Sequence, residues 1–579
     1  MLKKINRVFF GLGLVCCLVV SAAAAGENTA GKRTKRAEQL QIKVVPWGPT
    51  QEVFDAAKAR VESSAELQTQ LKGAKYRLLE FAYVDNETKT GPTLPPTRFR
   101  AVYYDYTNDR TLVAESDFAG REAIVVRQEY FNPTPNDEEF NEAVSILQQD
   151  KRFADALKSG ALRTFQPMPP TTVLDGSNER FVNVGTRSTS STDNEIVSIS
   201  LKRGEVIRYP ENAPPQSKSL IGSCGPASAG QTTTSQNTAG QYQLTITDGQ
   251  TTLWDMLVIR PAASSGTRKS GIEVRDVKYK GKSVLKRGHV PVLNVQYTPA
   301  TCGPYRDWQW QEDMFTTPAT GNTDPAPGIR VLADGQVATT ELQTGNDSGN
   351  FRGVAIYKQD NGYGMEVVLI SEMQAGWYRY INEWRFAPDG TIRPRYAFGA
   401  TNNSCVCDVH NHHAYWRFDF DVVQPNNKVF QVERGRKFLK PITTEISGNK
   451  NFQTKRSLLI QNSAGDEAYM LVPNMTDGVA DTFGVNDFWV LQYKNVVGGT
   501  NIQNEIDDGE TCVNCSDTTA PIRITPFING ESVVDQDVVV WYGAHFIHND
   551  QQGLVDPDRY AQVLSGSHVV GPDLRPVRW

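Results

Sequence analysis

Apolar residues recur at helical spacing in two stretches near the N-terminus and at alternating spacing almost everywhere else. Over 50–70, Val53, Ala56, Ala57, Val61 and Leu67 mark one face of a helix, with Thr50 as its N-cap. Strand patterns follow at 76–84, at 98–106 (Phe99, Ala101 and Tyr103 against polar partners), at 111–114 and at 123–130, with Thr107-Asn108-Asp109 as a turn. The cycle then repeats. Asn136 is the cap of a second helix, Glu139 three residues on completes a capping-box pattern, and Phe140, Val144, Leu147, Phe153 and Leu157 form its stripe. Strands are predicted at 180–184, 195–201 and 205–209. Two small α+β units in tandem are therefore expected, over 46–133 and 134–215. Residues 216–240, rich in Pro, Ser, Gly, Thr and Gln, read as a linker. From 241 to 579 short alternating segments and aromatics dominate with no long helix, which predicts a large antiparallel β-sandwich.

Composition narrows the function. The chain has 579 residues, of which 39% are hydrophobic, enough apolar material for a large core. The 60 Lys and Arg are outnumbered by 65 Asp and Glu, so a field that would hold nucleic acid is excluded. Residues 1–25 carry a basic start, an apolar run and an Ala-rich exit, the pattern of a signal peptide, and 26–45 are polar and expected to be loose. No later apolar run is long enough to span a membrane, so a secreted protein is expected, or a periplasmic one in a Gram-negative host. Cys224, Cys302, Cys405, Cys407, Cys512 and Cys515 remain after cleavage and allow up to three disulfides in fifteen pairings. Asn86, Asn346, Asn402, Asn474 and Asn514 begin N-x-S/T triplets that a eukaryotic host would glycosylate.

The candidate chemistry sits in the histidines. Four of the seven fall in two short runs, His410-Asn411-His412-His413 and His545-Phe546-Ile547-His548. On a strand, His410 and His412 face the same way, and a third imidazole from a distant strand completes a site suited to copper or zinc. Cys405-Val406-Cys407 lies close enough to suggest a zinc site with the same histidines, but disulfides suit an exported chain better.

The segment HNHHAYWRFDFDV resembles the copper-binding strand of the copper- and topaquinone-containing amine oxidases, in which His-x-His precedes a basic residue and Asp-x-Asp-Val. WYRYINEWRFAPDGTI resembles their quinone segment, VVVWYGAHFIH their third-ligand strand, and Leu574-Arg575-Pro576 their closing Leu-x-Pro. WDMLVIRP and the stretch 271–297 resemble the opening of their catalytic sandwich, so the likeness covers most of the mature chain. It implies copper held by His410, His412 and His548, a topaquinone formed from Tyr378, and Tyr297 hydrogen-bonded to that cofactor. It also implies a peripheral calcium site from Asp419, Asp421 and Asp537 with the carbonyls of Phe420 and Val538. The implied reaction is oxidation of a primary amine by dioxygen to aldehyde, ammonia and hydrogen peroxide, in a homodimer. Three positions depart from the family's pattern: Trp377 stands for Asn before the quinone Tyr, Arg379 for an acid after it, and Gln311 at the spacing of the catalytic base. Asp307, Glu312 and Asp313 are the nearby carboxylates, with Asp307 favoured as base. These departures also support a second reading, a copper-binding homologue with altered or lost catalysis and a structural or binding role.

Overall fold

The structure, a computed structural model, describes residues 40–579 apart from 85–88, 90, 169, 174–177, 190–193, 210–239, 267, 299–301, 303–304, 316–319, 341–349, 351, 361–363, 402, 436, 494–523, 549–553, 557–560 and 564–566. The signal peptide, nearly all of the linker, Cys224, Cys512, Cys515, Asn86, Asn346, Asn402 and Asn514 lie outside the described residues.

The first unit packs helices Gln51–Glu62 and Ala65–Gln70 on a four-stranded antiparallel sheet of Tyr76–Val84, Arg98–Asp105, Arg110–Asp117 and Val125–Glu129. The single helix expected over 50–70 is broken at Ser63 and Ser64, and the Ser64 side chain caps the second piece. The buried stripe is Phe54, Ala57, Val61 and Leu67, while Val53 and Ala56 face solvent. Phe54 decides this rotation: its ring packs on Phe81 at 4.7 Å, and burying an aromatic of that size outweighs burying Val53.

In the second unit, helix Asp137–Gln149 covers a sheet built on Arg180–Ser188 and Asn194–Ser200. Asn136 Oδ1 accepts from Glu139 N at 2.9 Å, half of the expected capping box. The other half is absent because the Glu139 carboxylate turns inward. It accepts from Tyr106 Oη at 2.7 Å and from Arg180 Nη2 at 2.8 Å. Arg180 and Glu139 are 1% and 0% exposed, a fully buried ion pair.

Part of the segment expected to be loose is ordered. Leu40–Pro46 pairs along its whole length with Gln241–Asp248 and forms an edge strand of the sandwich. Alternation explains it: Leu40, Ile42 and Val44 pack toward the main core.

The sandwich has two long sheets. In the first, Gln241–Asp248, Thr251–Ile259, Glu273–Tyr279, Lys282–Thr298, Val409–Phe420, Gln536–His548 and Phe488–Gln492 lie side by side. In the second, Val354–Asp360, Met365–Ala375, Tyr378–Phe386 and Ile392–Ala400 form a meander that the C-terminal strand Asp573–Arg578 extends. The sheets join where Asn426 and Asn427 pair with Asp537 and Gln536. Even-numbered residues of three strands fill the space between them: Ala414, Trp416 and Phe418; Val540, Tyr542 and Phe546; Tyr378, Tyr380 and Trp384. Odd-numbered Tyr415, Val539 and Trp541 fill a second core on the outer face of the first sheet. No helix among the described residues is long and apolar enough to cross a membrane.

Candidate metal centre and active site

Strand register assembles the histidines. Val409–Phe420 runs antiparallel to Gln536–His548 with His410 directly opposite His548, and His412 follows on the same face as His410. One ligand atom from each of these three buried imidazoles lies within 4.8 Å of the others. His410 Nδ1 donates to the Asp408 carbonyl at 2.6 Å, which leaves Nε2 with its lone pair toward the cluster. Burial pushes the ring down to about 4, so it is neutral at physiological pH. His412 is held between Phe546, stacked at 4.9 Å, and Phe398 at 4.8 Å. Three buried imidazoles walled by aromatic rings fit a copper or zinc ion.

Tyr378 enters from the opposite sheet. Ala375 and Tyr378 are paired, so Gly376 and Trp377 form a two-residue hairpin turn, with Gly376 at φ 59° in its first position. The Tyr378 hydroxyl donates to His410 Nε2, and His548 Nδ1 contacts the same oxygen at 2.7 Å. The phenol oxygen thus abuts two of the three candidate ligand nitrogens.

The departures at 377 and 379 become intelligible on this strand. Arg379 points to the other face and donates to the Tyr378 carbonyl at 3.0 Å, so its charge braces the turn without entering the pocket. Trp377 is buried, and its indole N–H donates to Tyr297 Oη at 3.0 Å. The Tyr297 ring in turn stacks on His410 at 4.7 Å. The Tyr297 hydroxyl, expected to serve the cofactor, is therefore engaged by Trp377.

The candidate bases are sorted by their neighbours. Gln311 donates to Gln166 Oε1 and accepts from Trp308 Nε1, each at 2.7 Å. Glu312 pairs with Arg260 at 3.1 Å and accepts from Ala262 N and Ser371 Oγ. Asp313 pairs with Arg352 at 2.9 Å. Only Asp307 reaches the tyrosine pair: its Oδ2 accepts from the Tyr380 hydroxyl, and Tyr380 stacks on Tyr378 at 5.4 Å with ring planes 10° apart. Asp307 Oδ1 is buried with no hydrogen-bond partner among the described residues. Burial raises this carboxyl to about 7, against the lowering effects of Tyr380 and Arg268. Tyr380 was the residue sequence reasoning left out, although its position two beyond Tyr378 puts it on the same face.

Cys302 and Cys405 form a disulfide between the end of the Lys282–Thr298 strand and the start of the histidine strand, and Cys407 is disulfide-bonded as well. The zinc reading of Cys405 and Cys407 fails on this chemistry.

Asp419, Asp421 and Asp537 also come together, on strands that carry the histidines. The cation among them is Lys89, whose Nζ lies 3.1 Å from Asp421 and 2.8 Å from Asp537 and donates to Asp419. These are the carboxylates that the family likeness implies for calcium, and in the structure the Lys89 ammonium lies among them. The other expected ligands, Phe420 and Val538, face each other across the ladder as paired backbone.

Two α+β units leading into this sandwich define a known architecture. No protein-family model matches the chain, and no curated protein sequence does. Solved structures do. A copper-containing benzylamine oxidase from Hansenula polymorpha is similar with a TM-score of 0.56, over 92% of this chain and 97% of its own, at 13% identity. An Aspergillus nidulans amine oxidase gives 0.51 over 92% and 88%, also at 13% identity. The fold of this chain is that of the copper-containing amine oxidases.

Proposed function

We propose that this protein oxidises primary amines to aldehydes, releasing ammonia and hydrogen peroxide, with copper held by His410, His412 and His548 and a topaquinone formed from Tyr378. The observation that carries this reading is the Tyr378 oxygen set against His410 Nε2 and His548 Nδ1, where a bound metal would meet the ring to be oxidised. Bound at these residues, copper with dioxygen would supply oxidising power, and a quinone at position 378 would supply an electrophilic carbonyl for a primary amine. The chain's own residues do the rest. Asp307, ionised above about pH 7, accepts the proton from the substrate carbon through its Oδ1. Tyr380 orients Asp307 and, by stacking, sets the plane of the residue 378 ring. Tyr297 and Trp377 wall the pocket against His410. The signal-peptide pattern and the disulfide support export to an oxidising compartment.

A specific observation favours a second reading, a copper protein that does not oxidise amines. Tyr378 is completely buried, and the Trp377 indole takes the Tyr297 hydroxyl. Peptide mass spectrometry across Tyr378, on protein loaded with copper under air, separates the two. A mass gain matching the quinone supports the oxidase. An unmodified Tyr378 in fully copper-loaded protein supports the second reading.

A further inference from the structure

The three carboxylates on the outer face of the first sheet form a cation box that the chain fills with its own side chain. Lys89 comes from the first α+β unit, some 330 positions from Asp419, yet only 11% of its side chain is exposed. Its Nζ touches Asp419, Asp421 and Asp537 and sits 4.8 Å above the Tyr493 ring. Four anionic or π-rich groups thus surround one ammonium. The approach of this segment is pinned independently: Thr93 N donates to Asp276 Oδ2 at 2.7 Å, and Lys286 Nζ reaches both Asp276 at 2.7 Å and the Gly91 carbonyl at 2.9 Å. Arg417, 4.0 Å from Asp419, adds positive charge from below. The ammonium, in contact with all three carboxylates, takes the space in which a divalent ion would have to gather six or more oxygens.

We infer that Lys89 is the resident cation of this carboxylate box, that it excludes divalent metal from it, and that it clamps the first α+β unit to the two strands bearing His410, His412 and His548. Removing the ammonium leaves a preformed cluster of hard oxygen donors, so the variant gains a site for a hard cation such as calcium or a lanthanide.

The test uses the full chain freed of metal and reads no enzyme activity, so it stands or falls apart from the oxidase reading. Terbium(III) is titrated with luminescence sensitised through Tyr493, and melting is followed with and without calcium. Wild type is expected to show no saturable terbium site and a Tm that calcium does not move. Lys89→Ala is expected to melt lower, to bind terbium at least ~100-fold more tightly than wild type, and to regain Tm on adding calcium. Asp419→Asn in the Lys89→Ala background should abolish the gained binding. Saturable terbium or calcium binding by wild type, competed by Asp419→Asn, would overturn the inference. So would a folded Lys89→Ala that neither binds terbium nor loses stability. If Lys89→Ala is insoluble, recovery by calcium in the refolding buffer supports the inference, and where recovery fails Lys89→Gln and the wild-type titration decide.

Discussion

Replacing Asp307 by Asn keeps the shape of the side chain while removing its charge and its capacity to accept a proton. The effect on stability follows from burial. The carboxyl sits at about 7 in the folded chain against an unfolded value of 3.8, a gap worth roughly 4 kcal/mol. Below pH 4 the group is protonated in both states and contributes nothing. Between about pH 4 and 7 the unfolded chain ionises first, so wild type loses stability as pH rises, and above 7 the loss is complete. Asp307→Asn is free of that loss. It bears a cost of its own, because the amide oxygen can accept from Tyr380 while the new N–H₂ occupies the place of the unpartnered Oδ1, about 1–3 kcal/mol. The variant should therefore be less stable than wild type at pH 4 and more stable at pH 8, with the curves crossing between roughly pH 4.5 and 6. Melting at several pH values shows this as a difference in Tm that changes sign, at roughly 1–2 °C per kcal/mol for a domain of this size. Amine turnover, read as peroxide, should fall by about 10²–10⁴ and lose its rise near pH 7. A Tm difference that stays constant from pH 4 to 8, or a variant that turns over at the wild-type rate, would refute the reasoning.

Other substitutions test separate links. His412→Ala should weaken copper at least ~100-fold in competition with a chelator while the circular dichroism spectrum is kept, since one of three imidazoles is lost. Glu139→Gln strands Arg180 in the second unit without a counter-charge, and should cost about 3–5 kcal/mol in urea unfolding. Joint replacement of Cys302 and Cys405 by Ser opens a loop of 103 residues, and should cost roughly 2–5 kcal/mol, read as a lower urea midpoint. Trp377→Asn should cost about 3–5 kcal/mol through the cavity it leaves, and by removing the bulky indole that donates to the Tyr297 oxygen it should speed conversion of Tyr378 as followed by mass spectrometry.

The sandwich and the tandem units were legible because alternation and helical spacing are local signals that survive in the fold with small shifts of boundary. The second helix began where Asn136 placed it, since a cap is written in two neighbouring residues. Leu40–Pro46 was missed because its partner strand lies 200 positions away and its own polar residues face solvent. His410 and His412 could be paired from their spacing on one strand. That His548 faces His410 follows from a ladder no local pattern specifies, and here a family likeness supplied it. The same likeness brought Asp419, Asp421 and Asp537 together but gave no sign of Lys89 among them. Lys89 comes from another unit, and nothing near Asp419 in sequence announces it. Among the three carboxylates near Tyr297, charge pattern alone left the base open, and only the positions of Arg260, Arg352 and Tyr380 separate them.

The ladder that places His410 opposite His548 also sets when the three imidazoles can meet. Tyr378 and His548 are 170 residues apart and reach each other only when both sheets have formed and closed on one core. A chain that ends short of His548 already holds Tyr378, His410 and His412 but lacks the third imidazole. Under the proposed function, oxidation of the ring would therefore wait for the closed aromatic core around it.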